Sequence, residues 1–134
     1  ITVLSVSQPQ SLDDAISQTV EDLGSRLGVA WDLQLADDVE VPGEVRENLL
    51  RIVREAITNA ASHGASAHVR VSLERDEQLR LVIEDDGCGF DPAQGPSSGG
   101  FGLQSMQERA ASVGGVLSVD SVPEHGTRVA VAFR

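Results

Sequence analysis

Three groups of residues in this sequence have side chains and spacings suited to chemistry. Glu55, Asn59 and His63 lie at i, i+4 and i+8 in the run Glu-Ala-Ile-Thr-Asn-Ala-Ala-Ser-His. On an α-helix that step makes a polar row that drifts slowly around the axis. Beside it Leu49, Ile52, Val53, Ala56 and Ala60 recur at three- and four-residue steps, which marks a core-facing stripe. A polar row along the border of a buried face sits at the edge of a cleft. Asn59 offers a neutral oxygen that a hard cation such as Mg2+ accepts, and Glu55, one turn earlier, is placed to hold or polarise a metal-bound water. Taken alone, three polar residues at this spacing describe a solvated helix flank. Two later stretches change that reading.

The first is Asp85-Asp86-Gly87-Cys88-Gly89-Phe90, which follows the apolar strand Leu79-Arg80-Leu81-Val82-Ile83. A carboxylate at the inner end of a buried strand needs a hydrogen-bond donor. Gly87 and Gly89 permit positive φ and let the backbone come close to a flat ligand. The second is Gly100-Phe101-Gly102-Leu103, which opens a helix. The first N–H groups of a helix have no internal partner, so with glycines to admit close approach they make an anion site, here assigned to phosphates. No Gly-Lys-Ser/Thr occurs, and neither glycine pair has the third glycine of a dinucleotide fingerprint. Gly126-Thr127 follows near the end of the chain.

In this order and at these spacings the motifs resemble the GHKL ATP-binding fold of sensor histidine kinases, gyrase-type topoisomerases and MutL. Arg-Glu-Ala-Ile-Thr-Asn-Ala followed by His63, a short lid, and Gly-Phe-Gly-Leu-Gln-Ser-Met-Gln-Glu-Arg-Ala are most similar to the catalytic domain of NarL-type two-component kinases. The likeness runs from about Leu12 to Phe133. It implies that Asp85 accepts from the exocyclic amine of adenine, with Gly87 and Gly89 around the base. It further implies that Thr127 supports that carboxylate through its hydroxyl, and that Gly100, Gly102 and Leu103 receive the phosphates. Asn59 becomes the magnesium ligand and Glu55 a catalytic positioning residue. His63 matches the histidine of the family's Asn-x-x-Lys-His pattern, but Ser62 stands where the lysine belongs and removes one phosphate contact. Arg109 resembles the arginine of the family's Met-x-x-Arg run and reads equally well as a surface charge.

Composition bounds the answer. The chain has 134 residues, 40% of them hydrophobic, enough for one domain with a core of its own. Ten basic against twenty-one acidic residues give a net charge of −11, which argues against nucleic acid as a partner. ATP is compatible with that charge, because Mg2+ and backbone N–H groups can offset its phosphates. The single Cys88 forms no internal disulfide and no apolar run approaches bilayer length, which point to a reducing compartment and a cytoplasmic domain. The sequence opens at Ile1 without a signal-like start and reads as a segment of a longer protein, itself anchored in a membrane or not.

The elements that must position these residues follow from periodicity. Residues 1–7 can form an edge strand. Ser11 caps a helix carrying Leu12, Ala15, Ile16, Leu23 and Leu27, which Gly28 stops. Val29 to Leu35 is a strand with Trp31 as a core residue, and Pro42 starts the central helix, which ends near Gly64. Ser66 to Leu73 and Leu79 to Glu84 pair as a hairpin; residues 87–100 hold too many glycines and prolines for regular structure and form a lid. A helix from Leu103 to Val113 and strands Val116 to Val122 and Thr127 to Phe133 close the chain. The expected fold is one domain over residues 1–134: a two-layer α/β sandwich with a mixed, mostly antiparallel sheet of about five strands and three helices on one face.

The resemblance implies a catalytic domain of a sensor histidine kinase, using ATP and Mg2+. It would transfer a phosphoryl group to a histidine on a separate dimerisation domain of the same kinase, for relay to a response regulator. The isolated domain would be a monomer and the parent kinase a homodimer. Two alternatives stay open. One is an anti-sigma serine kinase or a hydrolytic GHKL ATPase, the latter disfavoured by the short lid; the other is a non-catalytic nucleotide-sensing module, for which Ser62 is the best hint.

Overall fold

A computed structural model describes residues 10–62, 68–88, 102–121 and 124–133. The elements run in the order α1 (Leu12–Leu27), β1 (Ala30–Leu35), α2 (Gly43–Ser62), β2 (His68–Arg75), β3 (Leu79–Asp85), α3 (Leu103–Ser112), β4 (Gly115–Ser121) and β5 (Thr127–Phe133). The strands form one sheet in the order β1-β2-β3-β5-β4, with β1 parallel to β2 and every other pairing antiparallel. The expected two-layer architecture is therefore present. The expected strand over residues 1–7 lies outside the described residues.

Local chemistry explains the ends of the helices. Ser11 Oγ accepts from the Asp14 N–H at 3.3 Å at the start of α1, and Gly28 closes it at φ 73°, donating its N–H to the Gly24 carbonyl. Gly24 is buried against Trp31, so the tryptophan does belong to the core. The carboxylate of Asp13 accepts from the N–H groups of Val39 (2.9 Å) and Asp38 (3.3 Å), and Leu12 N–H donates to the Val39 carbonyl at 2.8 Å. These bonds tie the β1–α2 connection to the start of α1. Burial alone would raise the Asp13 pKa, yet the N–H groups of Val39 and Asp38 and the Ser11 hydroxyl together hold it below the ordinary value. Pro42 caps α2 instead of beginning it: its carbonyl accepts from Arg46 N–H at 3.0 Å.

Alternation sorts each strand by face. Val69, Val71 and Leu73 on β2, Leu81 and Ile83 on β3, and Val129 and Val131 on β5 are buried against Leu49, Ile52, Val53, Ala56, Ile57 and Ala60 of α2. Across the other face runs a register row of alternating charge, Asp32, Arg70, Glu84, Arg128 and Asp120. Within it Arg70 reaches Asp32 at 3.4 Å and Arg128 reaches Glu84 at 3.9 Å. These half-exposed pairs add little stability, but the row fixes register, since a slip of one residue would place charges in the core.

Several sequence-based boundaries shift by one or two residues. The first strand begins at Ala30 and leaves Val29 as a buried linker whose N–H bonds Gly24 O at 2.9 Å. The hairpin is later on both sides, His68–Arg75 with Leu79–Asp85, because strand pairing continues to the register pair Val69 and Asp85. Strand β4 starts at Gly115 and ends at Ser121. Leu27, placed on the apolar face by its spacing, is 39% exposed, since α1 projects past the core at its last turn. Among the described residues no helix is long and apolar enough to cross a membrane.

Candidate nucleotide site

At one end of the sheet, on its helix-facing side, Val69, Asp85, Thr127 and Ser121 stand side by side in register across four strands. Asp85 is half-buried there, and Gly87 N–H donates to its Oδ1 at 2.8 Å. The main-chain N–H of Thr127 also bonds this carboxylate. Burial raises the Asp85 pKa; the N–H groups of Gly87 and Thr127 pull it down, the neighbouring Asp86 charge pushes it up, and the net shift is upward. Gly126 passes directly behind, at φ 88°, where a Cβ would collide with the Asp85 carbonyl. Glycine is required there on both counts.

The Thr127 hydroxyl, expected to support the Asp85 carboxylate, faces Ser121 in this structure. The hydroxyl lies 2.8 Å from Ser121 Oγ, and it is the peptide N–H of Thr127 that holds Asp85. Ser121 Oγ in turn donates to the Gly126 carbonyl at 3.3 Å. Ser121 thus joins the site as a buried brace on the turn behind Asp85, a role missed in the sequence. Only its strand register with Thr127 reveals it. Asp86, beside Asp85, is a β-sheet end cap: its Oδ1 accepts from His68 N–H at 3.1 Å and its N–H donates to His68 O at 3.3 Å.

The other end of the site lies where α2 meets α3. Gly102 caps α3 at φ 63°, and its carbonyl accepts from Met106 N–H at 2.9 Å. Glu55, half-buried on α2, lies against it: a Cβ on Gly102 would be 2.5 Å from Glu55 Oε1. Asn59 is half-buried one helical turn beyond Glu55. Leu103 turns its side chain to the core, so only its backbone can serve a ligand. Ser62 Oγ donates to Thr58 O at 2.5 Å, which turns its hydroxyl to its own helix. His63, Gly89 and Gly100 lie outside the described residues. Cys88 is exposed, with its carbonyl accepting from Glu124 N–H.

The sheet-end carboxylate and the glycine-started helix thus flank one helix, α2, which carries Glu55 and Asn59 between them. The family model for the histidine kinase-, DNA gyrase B- and HSP90-like ATPases matches residues 44–134, which contain all of these groups. The chain belongs to this ATPase family. Its members bind ATP, and the relatives it matches are sensor kinases. It is 34% identical to the sensor histidine kinase LiaS of Bacillus subtilis over 91% of the chain and 34% of that protein. To UhpB of Salmonella typhimurium, a signal transduction histidine-protein kinase/phosphatase, it is 35% identical over 94% of the chain and 26% of that protein. Among solved structures it overlays on the blue-light activated histidine kinase of Erythrobacter litoralis EL346 with TM-score 0.79 at 25% identity, covering 92% of this chain and 41% of that one. It also overlays on the Acinetobacter baumannii histidine kinase AdeS with TM-score 0.69 at 16% identity, covering 91% of this chain and 62% of that one. The fold is thus that of the ATPase domains of histidine kinases. The chain spans about a third or less of the length of the curated relatives it matches.

Proposed function

We propose that this chain is the catalytic domain of a cytoplasmic sensor histidine kinase module. It would bind Mg-ATP and pass the γ-phosphoryl group to a histidine on a separate dimerisation domain of its homodimeric parent. A response regulator aspartate would receive it next. The observation that carries the reading is the construction around Asp85: a half-buried carboxylate gripped by two backbone N–H groups and backed by a glycine that tolerates no side chain. An ionised carboxylate only accepts hydrogen bonds. It therefore favours adenine, which presents an amine, over guanine, which presents a carbonyl at the same position.

From that anchor the nucleotide would run along α2 toward the start of α3, where free N–H groups favour phosphate. Glu55 lies against that helix start, so a phosphate there meets a negative charge as well as the helix terminus. A divalent cation bound with the nucleotide would offset that charge. The donors fit magnesium: Asn59 supplies a neutral amide oxygen and Glu55 a carboxylate to orient a bound water, while among the described residues no cluster of three or more His, Cys, Asp or Glu would hold a metal without the nucleotide. When bound, magnesium would neutralise charge on the phosphates. This chain's own residues would fix the base, align the phosphates and leave the terminal phosphoryl open to an acceptor.

The chain's three histidines, His63, His68 and His125, are followed by Gly64, Val69 and Gly126, so none is followed by an acidic residue to take its proton. His68 begins an internal strand of the sheet, a position poorly suited to in-line approach to a phosphate bound near α3. Incubation with ATP labelled in the γ-phosphoryl should leave this chain unlabelled, and the acceptor domain of its kinase, added as a separate polypeptide, should gain acid-labile label. Label on this chain alone, or none on the acceptor, would overturn the proposal.

A further inference from the structure

The ten basic residues of the chain are all arginines. Among the described residues Arg70, Arg80 and Arg128 are paired with Asp32, Glu74 and Glu84 on the outer face of the sheet. Arg46 donates to the Gln10 carbonyl at 3.0 Å. Five others enter no ion pair among the described residues: Arg75 ends β2, while Arg26, Arg51, Arg54 and Arg109 lie on the helices and line two adjoining grooves. Arg51 and Arg54 from α2 and Arg109 from α3 line an open cleft of about 200 Å³, in which Glu55 is the single carboxylate. Arg54 also borders the next groove, toward α1, with Arg26 and Asp22. The result is a basic stripe across three helices of a chain whose net charge is −11.

The place of the stripe is informative. Arg51 precedes Glu55 by one turn in the same i, i+4 row that continues to Asn59, so the stripe starts at the phosphate end of the nucleotide site and leads away from it. Clustered like charges repel, and α1 and α2 carry enough Asp and Glu to have neutralised them locally. A single phosphate would occupy the first cleft and leave Arg26 and half of Arg54's surroundings unused. A row of carboxylates on a protein surface matches the whole length. It would also be repelled by most of the remaining surface, which gives it one favoured orientation.

We propose that this stripe docks an acidic helical surface of the protein domain that accepts the phosphoryl group, and so sets that domain against the phosphate end of the site. The inference rests on the kinase reading above. Its test uses the full-length kinase with the pairs Arg51→Glu/Arg54→Glu and Arg51→Gln/Arg54→Gln, both at exposed positions. ATP affinity by calorimetry should stay within about twofold of the parent, while the initial autophosphorylation rate falls about tenfold or more in the Glu pair and less in the Gln pair. The parent's rate should fall with added salt, and that of the Glu pair should not. A loss of ATP affinity matching the loss of rate would assign the arginines to the nucleotide and overturn the docking role. So would an unchanged rate at unchanged affinity. A parent kinase that binds ATP yet takes no label would instead refute the kinase reading on which the inference stands.

Discussion

The Glu55 carboxylate packs on Gly102 so closely that a methyl group at Gly102 would sit 2.5 Å from Oε1. A negative side chain therefore stands beside the start of the helix to which the phosphates are assigned. On the proposed reading, this contact would make nucleotide binding depend on a cation. Asn59, the neutral donor one turn away, is where that dependence should be felt.

Asn59→Ala is expected to fold, because Asn59 lies beside the buried stripe of Ala56, Ile57 and Ala60 and not within it. Its ATP affinity should respond much less to magnesium than the parent's does. Calorimetry with magnesium and with chelator measures both. An equally large magnesium effect in the variant would move the metal site elsewhere.

Asp85→Ala removes a charged acceptor and should weaken ATP binding by about 1.5–3 kcal/mol, or roughly ten- to a hundred-fold. Asp85→Asn should be milder and less selective. Its amide oxygen can still accept from Gly87 N–H or from adenine, while its NH₂ can donate to the guanine carbonyl. Titration of ATP and GTP against the three forms tests this; unchanged ATP affinity in Asp85→Ala would dismiss the adenine role.

Acid should act on binding earlier than an ordinary carboxylate predicts. The Asp85 pKa is raised above the usual 3.8, chiefly by burial, so its acceptor form is lost while the pH is still above that value. The effect on stability has the opposite sign. The native state holds the proton more tightly than the unfolded chain, so stability contributed by the protonated group is lost as pH rises through the folded pKa. Asp85→Asn should therefore be at least as stable as the parent at pH 7, with its advantage shrinking as pH falls. Thermal melts across pH 4 to 8 would contradict this by showing a variant less stable at pH 7.

Gly24→Ala tests the packing under α1. Helix propensity favours alanine by about 1 kcal/mol. The new Cβ would lie 2.5 Å from Trp31 Cε3, 2.9 Å from Cζ3 and 3.0 Å from the Val29 carbonyl, and neither a half-buried ring packed on the core nor backbone yields freely. Overpacking of this kind costs about 1–3 kcal/mol, so a net loss of stability is expected. Denaturant titration followed by the fluorescence of Trp31, the only tryptophan, reads it directly. A variant as stable as the parent would show that the ring relocates at little cost.

Local spacing alone determined much of this protein. The three- and four-residue period of Leu49, Ile52, Val53, Ala56 and Ala60 set the buried side of α2, and all five are buried. Ser11 and Gly28 marked the ends of α1 because capping uses only neighbouring atoms. The motif residues Asp85, Gly102 and Glu55 were legible for the same reason: each is recognisable from its own few neighbours. What joins distant segments was not. Ser121 reaches Thr127 and the turn behind Asp85 only because β4 and β5 pair in one particular register. Gly126 is irreplaceable because it crosses the carbonyl of a residue on another strand. Likewise Arg109 is far along the chain from Arg51 and Arg54, and the three line one cleft only where α2 and α3 pack. Periodicity reports which face of an element is buried, but the partner across that face is chosen by packing and strand register, so atoms brought together over long separations were decided by the tertiary structure.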